Sequence, residues 1–209
     1  MAALPRIVVC FSGNGSNFQA LIDAIAQGTL RANIVLGVSN RSKAYALERA
    51  KQANIPTKTL SLKPYKDQGK TREEYDVDLA QVILSAQPDL IVLAGFMHIL
   101  SPAFLSHFPN TPLINLHPAL PGQFDGAHAI ERAFEAYKKG EIKHTGIMIH
   151  RVIAEVDGGE PLLVQEIEIK PEDDLDALET RIHAAEHVLI VKGSNLALEQ
   201  IAKSKATAA

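Results

Sequence analysis

Short apolar runs alternate with segments of helical periodicity along almost the whole chain. Arg6 to Phe11 (R-I-V-V-C-F), Asn33 to Ser39, Leu90 to Ala94 (L-I-V-L-A) and Leu113 to Leu116 have the length and near-continuous hydrophobicity of strands buried on both faces. Thr57 to Leu60 is a weaker strand of the same kind. Between them, Phe18, Leu21, Ile22 and Ile25 recur at helical spacing until Gly28, and Ala44 to Ala53 forms a second helix. Thr71 and Glu74 make a capping box for a helix whose inward face is Tyr75, Leu79, Val82, Ile83 and Ala86. Ser101-Pro102 opens another helix, with a cap and then proline at its first position. Further on come a helix from Ala129 to Lys139, strands near Thr145 to Ile153 and Leu162 to Ile169, and a turn between these at Asp157-Gly158-Gly159. The last helix starts near Leu175 with Leu175, Leu178, Ile182, Ala185 and Leu189 as its stripe. Gly193 weakens it by about 1 kcal/mol and marks an expected break. Lys203 to Ala209 reads as a frayed tail.

Strands alternating with helices predict an α/β fold: a Rossmann-like, mostly parallel sheet with helices on both faces. The closing strand, turn, strand segment adds an antiparallel pair near the C-terminal part. Ligands bind beyond the carboxyl ends of strands in such sheets. That rule gathers the loop after Phe11, the region of Gly95 and the strand tip at Asn115 and His117 on one rim.

Composition narrows the function classes. The 209 residues are 46% hydrophobic and 22% charged, values ordinary for one globular domain, and no internal repeat or linker divides them. A formal charge of −3 with no basic block argues against nucleic acid or a membrane surface as partner. Cys10 is the one cysteine, so no intrachain disulfide forms, and its place in an apolar run makes it a core residue. No apolar stretch reaches membrane-spanning length and no signal-peptide core opens the chain, so a cytoplasmic location is expected.

Three stretches carry chemistry. Asn115 and His117, two residues apart, project to the same side of a strand end, which Pro118 terminates. An amide donor beside a titratable imidazole suits acyl-type transfer, although an isolated N-x-H-P is a weak signal. Ser12 to Asn17 (S-G-N-G-S-N) is a glycine-rich turn from first strand to first helix, suited to a phosphate. Phe18 stands where a dinucleotide site needs a third glycine, and no P-loop lysine is present, so a monophosphate is the expected ligand. A side chain at Gly15 is expected to stand between backbone N–H groups and the phosphate. Asp157 lies in a hairpin signal but has the charge to hold a protonated histidine. His183-Ala-Ala-Glu186-His187 matches a zinc-peptidase pattern, yet the 22 residues after it offer no third histidine ligand, so no metal is expected.

Taken together, these stretches resemble the folate-dependent formyltransferases, and among them the branch acting on glycinamide ribonucleotide. The resemblance runs over nearly the whole chain: I-V-V-C-F-S-G-N-G-S-N-F-Q-A-L-I at 7–22, R-E-E-Y-D at 72–76, L-A-G-F-M-H-I-L-S-P-A-F at 93–104, I-N-L-H-P at 114–118, H-T-G at 144–146, E-V-D-G-G at 155–159 and E-H at 186–187. It departs at His98, where many bacterial members carry arginine, and in A-L-P-G-Q-F-D-G after Pro118.

The resemblance implies that Asn115, His117 and Asp157 are catalytic, with protonated His117 and Asn115 facing the oxygen of a tetrahedral intermediate. It implies that Gly15, Ser16 and Asn17 hold the phosphate of glycinamide ribonucleotide, with Arg72 as a further charged partner, Glu186 on the ribose and Pro118 lining the pocket. The co-substrate 10-formyltetrahydrofolate is expected against Phe96, Met97, His98, Ile99 and Leu100 and the segment from Val152 to Asp157. His128 and His150 match family histidines without an assigned step. One domain over 1–209 is expected, its phosphate-binding part at about 1–95 and its folate-binding and catalytic part at about 96–200. Two other readings remain at this point: a formyltetrahydrofolate hydrolase with the same trio, and an NADP-binding module using Arg41. The oligomeric state stays open.

Overall fold

The structure, a computed structural model, describes residues 3–208. Its first half is a run of parallel crossovers: β1 (Arg6–Phe11), α1 (Ser16–Ala26), β2 (Asn33–Ser39), α2 (Ala46–Gln52), β3 (Thr57–Thr59), a short α3 (Lys63–Asp67), α4 (Arg72–Leu84) and β4 (Leu90–Leu93). Then follow α5 (Pro102–Leu105), β5 (Leu113–His117), α6 (Ala129–Lys138), β6 (His144–Arg151), β7 (Pro161–Glu168) and α7 (Leu175–Ala208). The strands form one sheet in the order β3-β2-β1-β4-β5-β6-β7. β3 to β5 pair in parallel, while β6 is antiparallel to both β5 and β7. This is the expected mostly parallel sheet with an antiparallel addition at one edge.

Two apolar layers cover it. On one face Val9, Phe11 and Ile149 pack with Phe18 and Leu21 of α1 and Leu178, Ile182 and Ile190 of α7. On the other, Val8, Cys10 and Ile91 pack with Tyr75, Leu79 and Ile83 of α4 and Phe104 of α5. Cys10 is a core residue as expected, and burial pushes its thiol up to about 12. Thr71 caps α4 with the full capping box, and Ser101 caps α5.

The last helix departs from expectation. α7 runs unbroken through Gly193, because that glycine serves close packing and not a turn: a Cβ there would lie 2.8 Å from both γ-carbons of Ile149. Helix also continues past Lys203, where a frayed tail was expected; Lys205 Nζ reaches Asp89 at 2.7 Å, tying this end to the base of β4.

Candidate active site

The alternation of β5 sets the centre of the site. Asn115 pairs with His150 of β6 in the antiparallel ladder, and His117 lies two residues on at the strand tip. Asp157 arrives from the loop between β6 and β7, in a left-handed conformation with φ 54°. Its Oδ2 lies 3.4 Å from His117 Nδ1 and accepts the Gly126 N–H at 2.8 Å. Its Oδ1 accepts from Asn115 Nδ2 at 3.2 Å and lies 3.4 Å from His150 Nε2. Burial works against the Asp157 charge, but the Gly126 N–H bond and the nearby His117 and His150 imidazoles hold its pKa below the usual carboxylate range.

His150 is the residue that sequence reasoning left without a task. Its Nδ1 donates to the Arg151 carbonyl at 2.8 Å, so Nε2 is an acceptor, and Asn115 Nδ2 donates to it at 3.1 Å. Both N–H groups of the Asn115 amide are therefore committed, one to His150 and one to Asp157. Asn115 can donate to a substrate oxygen only by exchanging one of these bonds.

His117 is buried, with Nε2 lacking a hydrogen-bond partner among the described residues. Burial pushes its pKa below the ordinary histidine value; Asp157 opposes that shift, and His150 adds to it. That direction favours the neutral imidazole at rest, while the expected protonated His117 belongs to the tetrahedral intermediate. Its Nε2 is a base first and becomes a donor only after taking a proton.

A cavity of about 570 Å³ opens beside this cluster, a size suited to a cofactor-sized molecule. Phe96, Met97, His98, Ile99 and Leu100 line it, together with Val152, Asp157, Asn115, His117 and Pro118. Met97 and Ile99 are 62% and 54% exposed, so apolar surface faces the opening. His98 is turned inward: its Nε2 donates to Asp76 at 2.5 Å. Arg72 lies on this cavity with its guanidinium on the Ile99 carbonyl, whereas the Gly15–Asn17 loop is absent from the lining. His128 is on the rim, exposed and paired with Glu131 at 2.9 Å. The loop over His117 carries positive φ at Gly122, Phe124, Gly126 and His128, and Arg132 holds its Phe124 and Asp125 carbonyls.

The glycine loop forms a second centre. Gly15 is the N-cap of α1 at φ 77°, with no side chain capping the helix, which leaves first-turn N–H groups for an anion. A Cβ on Gly15 would lie 2.4 Å from Ala46 Cβ, so the glycine is required for packing on α2. Arg49 of α2, which sequence reasoning missed, braces the loop through the Asn14 carbonyl and side chain, each at 2.9 Å. Asn17 Nδ2 donates to Glu186 at 3.0 Å, joining the loop to α7. Burial raises the Glu186 pKa, with the Asn17 bond and His183 acting against it. Ser12 ties this loop to the cavity: its hydroxyl accepts the Met97 N–H at 2.7 Å and its own N–H donates to Gly95 at 3.0 Å. Among the described residues no three His, Cys, Asp or Glu side chains form a group able to hold a metal.

The formyl transferase family model matches residues 5–193. The chain belongs to the formyl transferase family. Curated relatives agree: phosphoribosylglycinamide formyltransferase of Schizosaccharomyces pombe is 52% identical, covering 89% of this chain and 93% of the relative. The Escherichia coli protein of the same name is 40% identical over 88% and 82%. The crystal structure of glycinamide ribonucleotide transformylase 1 from Symbiobacterium toebii matches with a TM-score of 0.84 at 31% identity, over 92% of this chain and 86% of that one. Membership in the formyl transferases makes this chain an enzyme and sets aside the NADP module. Phe18, fully buried against Phe11 with ring centroids 4.8 Å apart, stands between helix and strand where a dinucleotide turn has a glycine that lets them pack closely.

Proposed function

We propose that this enzyme transfers the formyl group of 10-formyltetrahydrofolate to the amine of glycinamide ribonucleotide, giving formylglycinamide ribonucleotide and tetrahydrofolate in de novo purine biosynthesis. The observation that carries the mechanism is a buried imidazole, His117, with an Nε2 unpartnered among the described residues and Asp157 behind its Nδ1, on the wall of a large apolar cavity. The cavity takes the folate, and Gly15, Ser16 and Asn17 with Glu186 take the phosphate and ribose. Arg72, beside Ile99, serves the folate side. One domain carries both subsites, neither needs a metal, and the enzyme works in the cytoplasm; among the described residues no helix is long and apolar enough to cross a membrane.

The amine attacks the formyl carbon and forms a tetrahedral intermediate with an ammonium and an oxyanion. Neutral His117 Nε2 takes the ammonium proton. The imidazolium so formed is held by Asp157 and faces the oxyanion, where one well-placed donor contributes about 3–4 kcal/mol. His117 then returns that proton to the folate nitrogen as the carbon–nitrogen bond breaks. The net change is one formyl group moved one way and one proton the other.

The test is a stoichiometry assay with both substrates. Formylated amine and tetrahydrofolate should appear in equal amounts, and free formate should stay at background. Formate release independent of the ribonucleotide would instead indicate a hydrolase.

A further inference from the structure

Asp76 has no exposed surface, lies in the second turn of α4, and takes no part in the chemistry above. A buried carboxylate is costly unless its oxygens are satisfied. Both are, and by one short segment: Oδ1 accepts from His98 Nε2 at 2.5 Å and Oδ2 accepts the Ser101 N–H at 2.9 Å. Burial opposes the charge, while these bonds hold the pKa below the carboxylate range. Tyr75, the preceding residue, packs edge-on against the His98 ring at 5.1 Å and donates its hydroxyl to the Leu60 carbonyl at 2.8 Å.

The segment needs such a hold. Met97 and Ile99 are mostly exposed, so their side chains anchor little of it. Its start is fixed by Ser12 and by Asn40, whose Nδ2 donates to the Met97 carbonyl at 3.2 Å. Its end is fixed by Asp76. Neither Tyr75 nor Asp76 lines the cavity that the segment forms.

We propose that Asp76 is a positioning residue for the formyl donor, setting the 98–101 backbone through His98 and Ser101 to receive the folate heterocycle. This rests on the reading that the cavity takes the formyl donor. A purely structural ion pair would stabilise the fold without distinguishing the two substrates.

Steady-state kinetics of full-length Asp76→Ala and Asp76→Asn, with calorimetric titration of tetrahydrofolate, separate the two roles. Asp76→Ala should raise the donor KM and the tetrahydrofolate Kd by about tenfold or more, the loss expected for a charged hydrogen bond. The ribonucleotide KM should stay within about twofold. Asp76→Asn keeps the volume and an acceptor for the Ser101 N–H, so it should fall between, at about threefold. If Asp76→Ala does not fold, Asp76→Asn carries the test. An unmoved donor KM in a folded variant, or equal rises in both KM values, overturns the proposal. Wild-type protein that forms no formylated amine overturns the functional reading instead.

Discussion

Asn115 and His150 face each other across the β5–β6 ladder, and their side chains meet at 3.1 Å. The pairing makes the catalytic strand tip depend on a neighbouring strand: His150 fixes the amide, and the amide fixes one oxygen of Asp157. His150→Ala should therefore lower kcat by about tenfold or more through misplacement, with ribonucleotide affinity unchanged. The electrostatic influence of His150 also lowers the His117 pKa, so its removal should move the acid limb of kcat/KM to higher pH. Unchanged kcat in the folded variant would make His150 a bystander.

His117 and Asp157 give a prediction with a definite sign. The reactive form of His117 is neutral, so activity should fall as pH drops through its depressed pKa, below the ordinary histidine range. Asp157 raises that pKa; Asp157→Asn should therefore shift the acid limb to still lower pH while reducing kcat by roughly a hundredfold. His117→Ala should lose at least roughly a hundredfold and abolish this limb altogether. Rate–pH profiles of the three proteins decide the matter, and a limb moving upward in Asp157→Asn would reverse the assignment.

The glycine loop is tested at Ser16, not at Gly15. Any side chain at Gly15 meets Ala46 and strains a φ of 77°, so Gly15→Val would disturb α2 whatever the ligand. Ser16→Ala removes one hydroxyl and leaves the backbone intact. A charge-assisted bond to phosphate contributes about 1.5–3 kcal/mol, so the ribonucleotide Kd should rise at least about tenfold. Tetrahydrofolate affinity should not change. Calorimetric titration of both ligands checks this, and an unaltered ribonucleotide Kd would remove Ser16 from the site.

Strand positions and helix faces were legible because periodicity reports burial directly, and the N-x-H spacing placed Asn115 and His117 on one side of β5. The Asp157 turn was legible as a turn with the charge to hold a histidine. What sequence could not convey is which partner a polar side chain chooses. His98 turns to Asp76, Arg72 to Ile99, Arg49 to Asn14 and Asn17 to Glu186, each a contact set by tertiary packing between distant segments. The direction of the His117 pKa was not legible for the same reason: burial, which is largest among its influences, has no local sequence signal. Gly193 was misread because helix propensity speaks of an isolated helix, and Ile149 lies 44 residues away in the chain.

That glycine supplies the last prediction. In an isolated helix Gly193→Ala would stabilise by about 1 kcal/mol. Here the new methyl would lie 2.8 Å from two carbons of Ile149, closer than packed carbons tolerate, and overpacking costs about 1–3 kcal/mol. The single variant should therefore be neutral to destabilising by about 2 kcal/mol. Ile149→Ala removes both offending carbons and by itself should cost about 2–5 kcal/mol for the space left behind. In that background Gly193→Ala meets only the remaining Cβ of position 149 at 3.1 Å, which the emptied space lets relax, and it gains its helix propensity, so its sign should reverse to stabilising. A double-mutant cycle by denaturant unfolding measures the coupling. Equal effects of Gly193→Ala in both backgrounds would show that α7 and β6 do not depend on this contact.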